Sequence, residues 1–177
     1  MGIASGLRDS SLLAKLCFLI IFTANVGSWI SFTTTSWGIT DDKYYTGIWR
    51  FCNMGDPNNK YCAMLDGFAK VWFGVFQAFA CIGFAGLNAS CLIIALYMCG
   101  GSCHKNSETG LCASVCCIFT AIFWLIAVII FGAKFEDDSD VSLNGSKRLG
   151  FSFGLAVASL GLELIVGVLM ILVSRKL

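Results

Sequence analysis

Three sets of side chains in this sequence have types and spacing that could do chemistry. The first is Cys52 and Cys62, which flank Met54-Gly55-Asp56-Pro57-Asn58-Asn59, a run of turn residues holding the chain's one proline. Tyr45 to Cys52 and, upstream, Ile30-Ser-Phe32-Thr-Thr34 are rich in aromatic and β-branched residues and read as short strands. In an oxidising compartment the two thiols would staple neighbouring strands. Closing so short a loop removes unfolded-state entropy worth roughly 2–3 kcal/mol. In a reducing compartment they would stay two free thiols. The second set is Cys99-Gly-Gly-Ser-Cys103-His104 with Cys112. Its spacing approaches metal-ligand and haem-attachment runs, with one residue too many for the latter. His104 is the single histidine, and no preformed tetrahedral scaffold surrounds it. Cysteines at the ends of apolar spans are acceptors for reversible palmitoylation, so Cys99, Cys103 and Cys112 are the candidate acyl sites, with reduced thiols as the alternative. The third is Glu163, a lone carboxyl in an apolar run, where a charge costs at least about 2.5–3.5 kcal/mol. It reads either as part of an ion pathway or partner-helix contact, or as a protonated or hydrogen-bonded carboxyl facing Asn25, Asn88 or Ser90.

Nothing else invites catalysis. There is no triad, no paired-carboxylate cleft, no phosphate-binding loop and no cofactor motif, so the expectation is a non-enzyme without a cofactor. Asp41-Asp42 and Glu136-Asp137-Asp138 with Asp140 read as solvated charge runs in loops. If such loops lined a pore between facing cells, their sign would tune ion selectivity.

The elements that must position these groups follow from composition. Hydrophobic residues make up 57% of the chain and charged residues 13%, too lopsided for a soluble domain. Leu16 to Thr40, Val71 to Cys103 and Thr109 to Ala133 carry no charge, and Leu149 to Ser174 carries only Glu163. Each gap exceeds the roughly 20 residues that cross the hydrocarbon core. The spans are expected at 12–33, 76–98, 111–132 and 150–173, all helical, because backbone in lipid must satisfy its own hydrogen bonds. They use up about half the chain, so residues 1–177 form one all-α membrane domain, a four-helix bundle, with 34–75 as the large first loop. Cys17, Cys81, Cys91, Cys116 and Cys117 read as small apolar packing residues. Gly83, Gly86, Gly154, Ala158, Gly161 and Gly167 recur at helical spacing, for close approach of neighbouring helices or for a face between protomers. A net charge of +1, with no basic cluster, excludes nucleic acid as a partner. Arg8 and Lys15 ahead of the first apolar run resemble a signal sequence, but the run continues to Phe32, so an uncleaved anchor is expected. Gly6 stands where a myristoylation signal needs Ser or Thr.

With an even number of spans both termini share one side. That side holds Arg8, Lys15, Lys105, Arg175 and Lys176, while the loops opposite hold Lys43, Arg50, Lys60, Lys70, Lys134, Lys147 and Arg148. A bare Lys/Arg count would put the termini outside. The seven opposite lie among acids in the longer loops, however, whereas Arg175 and Lys176 flank a span directly. The cysteine pair also needs an oxidising side. These two points, and above all the family resemblance given below, place the termini in the cytoplasm and the first loop outside. Asn144-Gly-Ser146 is a glycosylation sequon in the last loop, close to the membrane.

Trp29, then Gly47-Ile48-Trp49-x-x-Cys52 and Cys62, resemble the first-loop signature of the claudin, epithelial membrane protein and peripheral myelin protein superfamily. Its pattern is an upstream Trp, Gly-Leu-Trp-x-x-Cys and a second Cys one short loop later. Trp37 is the other candidate for the first member, but Trp29 fits the spacing. Gln77-Ala78-Phe79 and Gly150-Phe151-Ser152-Phe153 fall in register with further family marks, so the likeness covers roughly residues 12–175. It implies a small disulfide-stapled extracellular β-sheet built from the first loop, with Gly47, Ile48 and Trp49 anchoring it to the bundle. It also implies a multi-pass plasma-membrane protein of cell–cell junctions. Such a protein acts in adhesion or as a paracellular barrier or pore, by association in the membrane (cis) and across the gap (trans). Implied partners are membrane lipids, the chain itself, other four-span family members, or a channel; the related calcium-channel gamma proteins make an auxiliary channel subunit the alternative function. Ser174-Arg175-Lys176-Leu177 departs from the claudin tail that docks PDZ scaffolds, so no such scaffold is expected. Tetraspanins, the competing four-span family, carry their large cysteine-rich loop between the last two spans, where this chain has no cysteine.

Overall fold

The fold is that of a computed structural model, which describes residues 8, 10–68, 70–99, 103–137 and 146–175. The sequon at Asn144, the acids Asp138 and Asp140, and Lys176-Leu177 lie outside the described residues. Among those described, four helices are long and apolar enough to cross a membrane: α1 (Leu12–Thr33), α2 (Val71–Cys99), α3 (Ser107–Asp137) and α4 (Phe151–Arg175). Helix α1 starts where the Ser11 hydroxyl accepts from Ala14 N at 3.2 Å, the usual device for an orphan first-turn donor. Helices α2, α3 and α4 overrun the apolar windows expected for them. Hydropathy marks where a span leaves lipid, whereas the backbone ladder continues until a cap or a turn ends it. The helices close into a ring in which α1 touches α2 and α4, and α3 touches the same two; the α1–α2 seam is the thinnest.

Five short antiparallel strands cover one end of the bundle: β1 (Gly38–Thr40), β2 (Tyr44–Thr46), β3 (Arg50–Asn53), β4 (Tyr61–Met64) and β5 (Lys147–Leu149), in the order β4-β3-β2-β1-β5. Two expectations are corrected. Ile30 to Thr34 is not a strand: α1 runs to Thr33, and Thr34 returns both its N–H and its hydroxyl to Ile30 O, at 3.1 and 2.7 Å. The helix's own hydrogen bonds outweigh β propensity there. Nor is Tyr45 to Cys52 one strand. It breaks at Gly47, whose N–H turns back to Arg50 O at 2.8 Å. A Cβ at Gly47 would stand 2.7 Å from Thr34 O, so only glycine fits this turn. The sheet also gains β5 from the α3–α4 loop, which ties that loop to β1 from Gly38 to Thr40.

The interior divides into two cores. Nearer the sheet lies an aromatic one, including Trp37, Ile48, Phe76, Trp124 and Phe131. Toward the opposite end, called the far end below, lies an aliphatic one, including Cys17, Ile21, Leu87, Ile94, Cys117 and Met170.

Candidate functional site

The sheet end is organised around a residue that the motif reading had passed over. Trp37 is fully buried. Its ring lies 5.2–6.2 Å from those of Phe76, Phe131, Phe153 and Trp124, and its indole N–H donates to Ser31 O at 2.8 Å. Such aromatic packing with a satisfied indole makes a rigid plug between the bundle and the sheet. A tryptophan near the end of a span usually reads as an interface anchor, so the sequence carried no signal separating the two roles.

The Gly47-Ile48-Trp49 turn pins the sheet to the bundle. Ile48 is fully buried, and its carbonyl accepts from the Gln77 amide of α2 at 2.8 Å. Trp49 meets Phe32 of α1 edge-on at 5.3 Å, and its carbonyl accepts from Leu65 N at 2.8 Å. Cys52 and Cys62 are cross-strand partners in β3 and β4 and form a disulfide. At the other edge, the Asp41-Asp42 turn holds the α3–α4 loop. Both residues are left-handed (φ 53° and 56°), Asp41 accepts from Ser146 N at 3.0 Å, and Asp42 pairs with Arg148. This charge pair is not merely a solvated run.

What the stapled sheet turns outward is apolar. All four residues of the edge strand β4 are exposed. Met64 is 75% and the nearby Phe68 98% exposed, and Val71 beside it is also bare. Since Leu65 N points inward to Trp49 O, strand alternation turns the N–H and C=O groups of Cys62 and Met64 toward the free edge.

The intramembrane polar groups split between two places. Trp29 sits on the α1–α2 seam, 50% exposed. Its indole N–H donates to Asn88 Oδ1 at 3.0 Å, and Asn88 Nδ2 donates to Phe84 O at 2.7 Å. Asn25 lies on the same helix, half-buried. Glu163 is instead fully enclosed between α3 and α4. Its partner is Thr120, at 2.5 Å, not Asn25, Asn88 or Ser90, and Oε2 has no partner among the described residues. The reason is helix rotation. Gly86 has no room for a Cβ against Thr120, so α2 lies tightly on α3 while Asn88 is turned to the seam with α1. Ser90 faces the Cys117 thiol. Of the small residues, Gly83, Gly86 and Gly167 lie against α3, whereas Gly154 and Gly161 face open space.

At the far end Cys112 is exposed, and Cys99 and Cys103 are partly so. Beside Cys112 an open, largely apolar face of α3 runs past Leu111, Val115, Cys116 and Phe119, with Glu108 at its end. His104 Nδ1 lies 2.7 Å from Met98 O, capping α2. Among the described residues no group of three or more His, Cys, Asp or Glu side chains could hold a metal.

No curated protein matches the chain. The model of one family, described as the PMP-22/EMP/MP20/Claudin family, matches residues 10–170. That span takes in the first three helices, most of α4, the five strands and the disulfide, so the chain belongs to the PMP-22/EMP/MP20/Claudin family.

Proposed function

We propose that this protein is a structural component of cell–cell contacts. It would present its stapled sheet outside the cell, keep both termini in the cytoplasm, and associate with further copies in its own membrane and across the gap. The observation that carries the reading is the unpartnered β4 edge with Met64 and Phe68 beside it, an apolar surface with open backbone groups on a sheet otherwise locked in place. Exposed edges of this kind pair readily with another strand. The edge is also self-complementary. Two copies of β4 laid antiparallel about Ala63 would pair Cys62 with Met64, exchanging the free N–H and C=O groups, and would set Lys60 across from Asp66 at both ends. An oxidising exterior agrees with the disulfide. On the cytoplasmic side, the apolar face of α3 beside Cys112 offers the surface along which an acyl chain on that thiol would lie.

The test is imaging of tagged protein in cells without junctions, mixing expressing with non-expressing cells. Enrichment only at borders between two expressers supports contact across the gap, and uniform surface staining overturns it. In the second case, stoichiometric co-purification with a channel would identify the auxiliary-subunit role. Charge reversal sharpens the edge model. Asp66→Lys should weaken border enrichment, and adding Lys60→Asp should restore it.

A further inference from the structure

Ser90 Oγ, Trp124 Nε1 and Glu163 Oε2 are single enclosed atoms without a partner among the described residues, whereas Asn25 is a whole amide without one on a half-open face. Its side chain has no hydrogen-bond partner among the described residues; only its backbone carbonyl is used, accepting from Ser28 at 3.0 Å. At about 1.5 Å per residue it lies about 20 Å from the start of α1 and about 12 Å from its end, well inside the hydrocarbon. It is half-buried rather than enclosed, so water does not surround it and the bundle does not satisfy it. Its neighbours contrast with it. One turn on, Trp29 is bonded to Asn88, which is bonded in turn to Phe84 O, so the seam's other polar groups are closed off from Asn25. An amide with two donors and an acceptor unused in lipid is a costly state that a partner helix relieves.

We infer that Asn25 marks a contact in the plane of the membrane between two copies of this chain, with α1 packed on α1. The occupant follows from the chemistry of the group. A carboxamide is its own complement, since two of them exchange a pair of N–H···O bonds. A two-fold axis along the membrane normal brings residue 25 of one copy to the same depth as residue 25 of the other. The surrounding surface suits a helix. Phe22, Val26 and Trp29, at three before, one after and four after Asn25, are all exposed to lipid. Trp29 is held in place by its bond to Asn88, so it presents a wall that loses little side-chain freedom on contact. The α1–α2 seam beside this face is the thinnest in the ring, which leaves the amide reachable from the lipid side. The contact needs one membrane only and stands whether or not copies also meet across a gap.

The experiment uses the full chain, carrying either of two fluorescent proteins at its N-terminus, in phospholipid vesicles of decreasing protein density. Energy transfer between tags reports association. The wild type should keep its transfer on dilution. Asn25→Leu should need about tenfold higher density for the same signal, and Asn25→Gln, which keeps the amide, should stay within about threefold of wild type. Migration of the Cys52–Cys62 bond on non-reducing gels checks that each variant is folded. Equal association of Asn25→Leu and wild type overturns the inference, as does wild-type transfer that falls with density as chance proximity alone would make it fall. Transfer that appears only when a sterol is added would also overturn it, by assigning the amide to a lipid hydroxyl.

Discussion

The two ends of the bundle are closed by different means. At the sheet end a disulfide, five strands and a tryptophan plug act together, so that a covalent staple and large buried rings reinforce the strand hydrogen bonds. At the far end the closure is a set of single hydrogen bonds. Ser107 Oγ donates to Ser174 O at 3.1 Å and Ser174 Oγ returns a bond to Ser107 O at 2.9 Å. Ser10 Oγ donates to Met98 O at 3.3 Å, and Lys105 N to Tyr97 O at 3.2 Å. Each such bond is worth about 0.5–1.5 kcal/mol, whereas the staple and the plug are each worth several times that. Under the proposed role the sheet end would have to hold its shape against a partner surface, while the other end would need only to keep its helices in register.

The comparison breaks first at Trp37. Trp37→Ala should cost about 3–5 kcal/mol through the emptied volume between bundle and sheet, and more for Ser31 O left unbonded. Thermal unfolding in detergent would measure it; a loss below about 1 kcal/mol would show that the aromatic core does not hold the sheet. Cys52→Ser comes next, at about 2–3 kcal/mol, and is expected to stop correct delivery to the cell surface. Normal surface levels in that variant would count against the stapled sheet as the structural unit.

Between the two ends Glu163 separates a packing role from an ion pathway. Glu163→Gln keeps the volume and a bond to Thr120, so stability should change by less than about 1 kcal/mol. Glu163→Ala should cost about 2–4 kcal/mol by opening a cavity between α3 and α4. If Gln destabilises as much as Ala, the charge rather than the hydrogen bond matters at this position.

Much of this architecture was legible in the residues, for identifiable reasons. The spans showed because hydrocarbon tolerates almost no charge, and the gaps around Lys15, Lys70, Lys134 and Arg175 mark their ends. The Cys52–Cys62 staple showed because a proline turn separates the two thiols. Strand β5 did not show, since Lys147-Arg148-Leu149 is too short and too charged to display alternation. Trp37 was hidden among tryptophans that sit at membrane level for generic reasons. The partner of Glu163 was out of reach for a different cause. Depth along a helix can be counted from sequence, but rotation about its axis depends on packing, here on the contact between Gly86 and Thr120. The motif residues were thus readable as positions, and their contacts only as geometry.

The smallest expected effect tests whether the rigidity of the sheet end extends to its β5 edge. Asp42 and Arg148 form an ion pair, but both are largely exposed, and exposed pairs contribute about 0–1 kcal/mol. Asp42→Asn should therefore leave the unfolding temperature almost unchanged, and the small loss it causes should shrink in high salt as the pair is screened. Asp41 differs, because its carboxylate caps Ser146 N at the point where the α3–α4 loop joins the sheet. Asp41→Ala should speed hydrogen exchange along β5 and the β1 backbone it pairs with, while β3 and β4 stay protected by the disulfide. Exchange rising equally in β3 would mean that the five strands open as one unit and that the staple does not divide them.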